Sequence, residues 1–284
     1  MKHTELLQNT VERKMAVENC LLFLRVGSVM YGTNIPGKSD QDFVGVFMPD
    51  EEYLLGLKNI EQVEFRTNDT GSGKKNTSAD MDCTLYALPK FMELLLNNNP
   101  NTLETLFVPE NCRLYVHPLG QKLFDNKEIF LSKKSYHSFK GYSHTQVQRL
   151  QRGEDNGSGR QELIQKFGYD TKMASHALRL YLEANELLST GKITLPLKEN
   201  QLVLTVKKGE WSKERFLEEA KRLEALCDEL YTKTQLPHGP DREAAHKLLI
   251  EMNKEYHGYG VVKHHRTLRQ TTAKILRSVV EHLE

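Results

Sequence analysis

The stretch GSVMYGTNIPGKSDQDFVGV, beginning at Gly27, constrains this chain more than any other. The apolar run LLFLRV enters a Gly27-Ser28 turn, residues 29–39 make a polar loop, and Asp40-Gln41-Asp42 leads into a second apolar run, FVGVF. Short apolar runs bounded by turn residues read as buried strands. Alternate residues of a strand share a face, so Asp40 and Asp42 point the same way, about 7 Å apart. Two carboxylates on one side repel, which costs stability unless a cation lies between them. The pair suits Mg²⁺, with Mn²⁺ as the alternative, as one or two ions whose remaining positions take water or phosphate. The Gly27-Ser28 end offers backbone N–H groups and a hydroxyl to a phosphate. A site needing both is a site for a nucleoside triphosphate and its metal.

A two-metal site calls for a further carboxylate on a neighbouring strand. Asp82 in DMDCTLY is the best candidate, Asp80 on the same face the second and Glu64 a weaker third.

The remainder of the chain divides in two. A helix is expected from about Thr4 to Met15, strands at LLFLRV, DFVGVFM and VEFR, and a further strand at DMDCTLYAL leading to a KFMELLLNN helix. Asn99 caps a helix that Pro100 opens. From about Ser135 the patterns turn long and helical: SFKGYSHTQVQRLQ, ELIQKFGYDTKMASHALRLYLEANELL closed by Gly191, ERFLEEAKRLEALCDELY, REAAHKLLIEM and RTLRQTTAKILRSVVEHL. ITLPLKENQLVLTVKKG reads as a short extended hairpin, and NDTGSGKKNTS and RGEDNGSGR as loops. The division predicts a catalytic domain over 1–130 and a helical domain over 131–284.

With 284 residues and a formal net charge of +1, nothing global draws the chain to nucleic acid or membrane, so a polyanion site must be local. Four scattered cysteines without a CxxC pair argue for reduced thiols rather than zinc or disulfides. The N-terminus carries acids and no signal pattern, and no apolar run is long enough to span a bilayer, so a cytoplasmic protein is expected.

NDTGSGKKNTS fails as a phosphate-binding P-loop, because Asn68 stands where the first glycine belongs and Lys75 where Ser or Thr is required. The basic run KHHRTLRQTTAKILR reads first as a solvated helix face and second as an RNA-backbone patch, and His264 and His265 lack companion ligands for zinc. Trp211 reads as core.

Val26-Gly27-Ser28, the loop and Asp40-Gln41-Asp42 resemble the signature of the DNA polymerase beta-like nucleotidyltransferases. More narrowly, Gly27, Ser28, Tyr31, Gly32, Ser39, Asp40, Asp42 and Gly45 resemble a bacterial and phage group associated with RNA ligase and RNA repair. Asp82 ahead of Tyr86, Leu88, Lys90 and Phe91, then Asn99-Pro100-Asn101 with Glu104, matches a second block of that group, and Lys166 to Leu180 a third. The resemblance implies an α+β fold: a small mixed sheet with helices, followed by a helical domain closing the nucleotide cleft. It implies Asp40, Asp42 and Asp82 as metal ligands and catalytic carboxylates, with Gly27 and Ser28 on the triphosphate. Lys172, His176 and Arg179 share one helix face at i, i+4 and i+7. With the helical domain facing the cleft, Lys172 and Arg179 are expected to neutralise the triphosphate and Tyr169 to stack on the base.

The expected activity is transfer of a nucleoside monophosphate from a nucleoside triphosphate to an acceptor hydroxyl, releasing pyrophosphate, with an RNA end as acceptor by analogy to the group. The alternatives are a protein or small-molecule hydroxyl as acceptor, and a nucleotide-binding module without catalysis. The preferred base and the oligomeric state are not given by the sequence.

Overall fold

The strand at Cys20–Arg25 (β1) is apolar up to Arg25, and its apolar residues are buried on both faces. It lies between Gln41–Phe47 (β2) and Arg113–Val116 (β5), antiparallel to each. Beyond β2 come Met81–Ala87 (β4), parallel to it, and Gln62–Arg66 (β3), antiparallel to β4. Among the described residues these strands form one mixed sheet in the order β3-β4-β2-β1-β5. The computed structural model describes residues 10–37, 39–67, 80–153, 161–258 and 278. The first part of the expected N-terminal helix, the NDTGSGKKNTS segment, most of RGEDNGSGR and the basic run with His264 and His265 lie outside the described residues.

Period-two alternation sorts the sheet's side chains. One face carries Phe23, Phe43, Phe65, Cys83 and Leu85, packed under helix Val11–Glu18 (α1) through Met15, Ala16 and Val17. The Phe23 and Phe43 rings stack with centroids 5.3 Å apart. The other face carries Leu22, Leu24 and Val46 in a second cluster, which draws Leu180, Ala184 and Leu187 from the helical half as well as Phe91 and Leu95. That cluster therefore crosses position 131.

Helices Gly27–Met30 (α2) and Glu51–Leu54 (α3) are single turns. Leu88–Leu96 (α4) leaves β4 directly, and Pro100–Leu103 (α5) follows with Asn99 as its cap, its side chain accepting from the Asn101 N–H at 3.1 Å. Pro118–Asp125 (α6) and Lys134–Arg152 (α7) complete the run towards the helical half.

The expected helix over ELIQKF…NELL is two helices, Gln161–Phe167 (α8) and Thr171–Thr190 (α9). Gly168 at φ 82° breaks the run, and Asp170 restarts it by accepting from the Met173 N–H at 2.9 Å. Gly191 closes α9 in the left-handed conformation, as expected. The expected hairpin is not formed. Asn200–Lys207 is a helix (α10), with Val203 and Val206 buried at i and i+3 against α9. Its β-branched residues favour strands in isolation, but packing decides. Lys213–Lys233 (α11) and Arg242–His257 (α12) follow the predicted patterns.

Among the described residues, no helix is long and apolar enough to cross a membrane. All four cysteines are buried free thiols. Trp211 is buried, as expected.

Candidate active site

The sheet face that is aliphatic at Leu22 and Val46 turns acidic at its other end. Reading down β2, the side chains on that face are Val46, Val44 and Asp42. Asp42 pairs in register with Asp82 of β4. Register partners share a face, and neighbouring strands lie about 4.8 Å apart, so the two carboxylates stand side by side. Asp40 lies just ahead of β2 rather than within it. Burial, with the neighbouring Asp40 charge, pushes the Asp42 carboxyl up to about 6; Asp82 adds to the push, and Lys172 and Lys207 oppose it.

Gly27 lies directly against this carboxylate. Its φ is 65°, and a Cβ there would lie 2.1 Å from Asp42 Oδ2. Only glycine meets both demands. The Val26 N–H also donates to the Asp42 carbonyl at 2.9 Å, so the Gly-Ser segment is bolted to the acidic strand. The Ser28 hydroxyl is buried and has no hydrogen-bond partner among the described residues, a state that costs free energy unless a ligand supplies one.

Lys172 opens α9 and is exposed. Lys207 ends α10, and its Nζ donates to the Thr33 carbonyl at 2.9 Å. Thr33 in turn donates its N–H to the Ser28 carbonyl at 2.8 Å. Burial and the Lys172 charge pull the Lys207 pKa below the ordinary lysine value, against Asp40 and Asp42. Two lysines thus face the carboxylates. The sequence reading missed Lys207, because it lies in the segment taken for a hairpin; the i, i+3 spacing of Val203 and Val206 was the available signal.

Of the other candidate carboxylates, Asp80 accepts from the Thr67 hydroxyl at 3.1 Å and precedes β4. Glu64 stands level with Thr84, further along the sheet, and accepts from Gln62 Nε2 at 2.8 Å. Asp82 lies 3.5 Å from Arg66 Nε. Among the described residues no three His, Cys, Asp or Glu side chains are arranged to hold a metal ion as they stand. The donor set nonetheless suits a hard divalent cation in kind. Ligation by Asp82 requires its carboxylate to turn from Arg66 towards Asp42.

Arg179 and Tyr169 are elsewhere. α9 is buried on nearly every side, not on one stripe, so the polar face drawn through residue 179 does not exist. Arg179 NH1 donates to Glu104 at 2.5 Å and to both oxygens of Glu183 at 2.9 Å, and its guanidinium covers the Tyr31 ring at 4.0 Å. Tyr31 donates its hydroxyl to Glu104. Burial pulls against the Arg179 charge, yet the two glutamates hold its pKa above the ordinary arginine value. Burial pushes Glu183 up to about 8. Residues from all three blocks of the resemblance meet here, away from the carboxylates; Glu183, one turn beyond Arg179, was readable as its i+4 partner. The Tyr169 hydroxyl donates to the Trp211 carbonyl at 3.0 Å, and its ring packs on Phe216. His176 is half-buried, its Nδ1 2.7 Å from Gln146 Nε2.

Residues 2–251 match the RlaP family, described as the RNA repair pathway DNA polymerase beta family. The chain belongs to that family. An uncharacterized 38.9 kDa protein of the nrdC-mobD intergenic region of Enterobacteria phage T4 is 37% identical over 83 residues, 29% of this chain and 24% of the phage protein. The match thus spans about a quarter of that relative's length. A nucleotidyltransferase-like protein from Exiguobacterium sibiricum 255-15, known from a crystal structure, aligns at 12% identity and a TM-score of 0.29, over 89% of this chain and 80% of its own. That overlap is too loose to bear on function.

Proposed function

We propose that this protein transfers a nucleoside monophosphate from a nucleoside triphosphate to the hydroxyl of an RNA end, releasing pyrophosphate. The observation that carries the reading is the register pairing of Asp42 with Asp82, beside a Gly27-Ser28 segment whose hydroxyl is buried without a partner. Asp40, Asp42 and Asp82 would hold Mg²⁺ or Mn²⁺, which when bound neutralises charge on the reacting phosphoryl group. The Ser28 hydroxyl donates to a phosphate oxygen, and Gly27, lacking a Cβ, lets the Gly-Ser backbone lie against the Asp42 carboxylate so that phosphate and metal meet there. Lys172 and Lys207, from the helical half over 131–284, neutralise the triphosphate and the leaving pyrophosphate. Asp82, its side chain 39% exposed, is placed to take the proton of the acceptor hydroxyl.

The test incubates the protein with each α-labelled nucleoside triphosphate, Mg²⁺ or Mn²⁺ and an RNA pool, and follows label on RNA together with pyrophosphate. Label on RNA that disappears in Asp40→Asn/Asp42→Asn supports the reading. Transfer that survives the double substitution overturns it, and label on protein or small molecules alone moves the acceptor assignment.

A further inference from the structure

A groove of about 770 Å³ runs between the end of α4, the Asn97–Pro100 turn and one side of α7. Among the described residues that line it, none is acidic. Asn97, Asn99, His137, Tyr142, Gln146 and Arg149 present an exposed phenol, an imidazole, three side-chain amides and a guanidinium. Tyr142 is 50% exposed although it is a large aromatic residue on an ordered helix. Asn97 accepts from Lys134 at 2.8 Å and Asn99 from the Asn101 N–H, which occupies their oxygens and leaves the amide nitrogens as donors. Gln146 Oε1 is buried and has no hydrogen-bond partner among the described residues.

Gly141 gives an independent indication. It lies in the middle of α7, where glycine destabilises a helix by roughly 0.5–1 kcal/mol relative to alanine. A Cβ built there meets nothing within 4 Å. Nothing in the described fold requires a glycine, yet Gly141 lines the groove and keeps its wall flat beside Tyr142.

We infer that this groove seats an unpaired segment of the RNA acceptor, with a base stacked on Tyr142 over Gly141, base edges read by the amides and a phosphate on Arg149. Aromatic stacking with amide and guanidinium contacts is the chemistry of single-stranded RNA recognition. The absence of acids fits a polyanion. Gln146 links the groove to the catalytic end, since its Nε2 lies 2.7 Å from His176, one helical turn from Lys172. The inference rests on the proposed transfer to RNA and names how the acceptor is held.

The test measures anisotropy of a fluorescent ten-nucleotide single-stranded RNA with the full chain, in chelator and without nucleotide. Binding then does not depend on the carboxylates. Tyr142→Ala is expected to weaken binding about tenfold and Tyr142→Ala/Arg149→Gln further. Gly141→Ala is expected to raise the melting temperature while weakening RNA binding several-fold, a combination that a purely structural glycine would not give. Asp42→Asn is expected to bind RNA as the parent does. Crosslinks from 4-thiouridine RNA should fall within residues 137–149. Unchanged affinity in the Tyr142 and Arg149 variants, equal affinity for duplex RNA, or no RNA binding overturns the inference. Transfer that persists in Asp42→Asn would instead overturn the active-site reading and leave the groove standing.

Discussion

Five carboxylates meet opposite fates in this fold. Glu104 and Glu183 are buried around one guanidinium and one phenol, and their bonds close the cluster on itself. Asp40, Asp42 and Asp82 gather at one end of the sheet, where burial and the neighbouring aspartates push Asp42 up while Lys172 and Lys207 oppose the push. Residues drawn from the same sequence blocks make a tightly bonded buried cluster in one place and a partly exposed group of like charges in the other. A closed cluster holds elements together; a group of like charges is eased by a cation.

Breaking the closed cluster has the larger expected effect on stability. Arg179→Met leaves the buried Glu104 and Glu183 side chains and the Tyr31 phenol without the guanidinium that joins them and is expected to cost about 3–5 kcal/mol, read by urea unfolding. Lost nucleotide affinity at unchanged stability would reverse the contrast. At the open site Asp42→Asn is expected to cut transfer at least about a hundredfold, with an unchanged or higher melting temperature, because its charge is already disfavoured. Lys207→Met is expected to weaken triphosphate binding about tenfold, measured by the nucleotide-induced rise in melting temperature.

The mildest test is a pH profile. The Glu183 carboxyl stands at about 8 in the folded chain against an ordinary 4.5. The folded state therefore keeps a proton that the unfolded chain releases. The resulting stability is fully present below about pH 4.5 and is lost as pH rises towards 8, with a slope of at most about 1.4 kcal/mol per pH unit. Glu183→Gln should remove that slope and change little near neutrality. A variant whose stability still falls over the same range would show that another group carries the dependence.

Much of the site could be read from the chain alone, because β-structure makes register local. Asp42 and Asp82 lie in short alternating runs, and alternation alone puts each on a definite face. Which strands become neighbours is a long-range matter, and neither the spacing nor the resemblance gave the parallel pairing that levels the two residues. The helical half was less readable. A one-sided stripe assigns Lys172 and Arg179 to the same surface, yet α9 lies at the centre of its bundle, and only its first turn reaches the cleft. Lys207 was hidden because Val203, Thr205 and Val206 carry strand preference that burial against α9 overrides.

The place of Tyr31 bears on how the chain can be divided. It stands between the Gly-Ser segment and the aspartates, and its ring and hydroxyl are held by Arg179 and Glu104. A fragment ending at residue 130 would keep the phenol and Glu104 but lose the guanidinium lying on both. Grafting the first half onto a foreign helical partner would therefore require that partner to bring its own arginine, at the level of Tyr31.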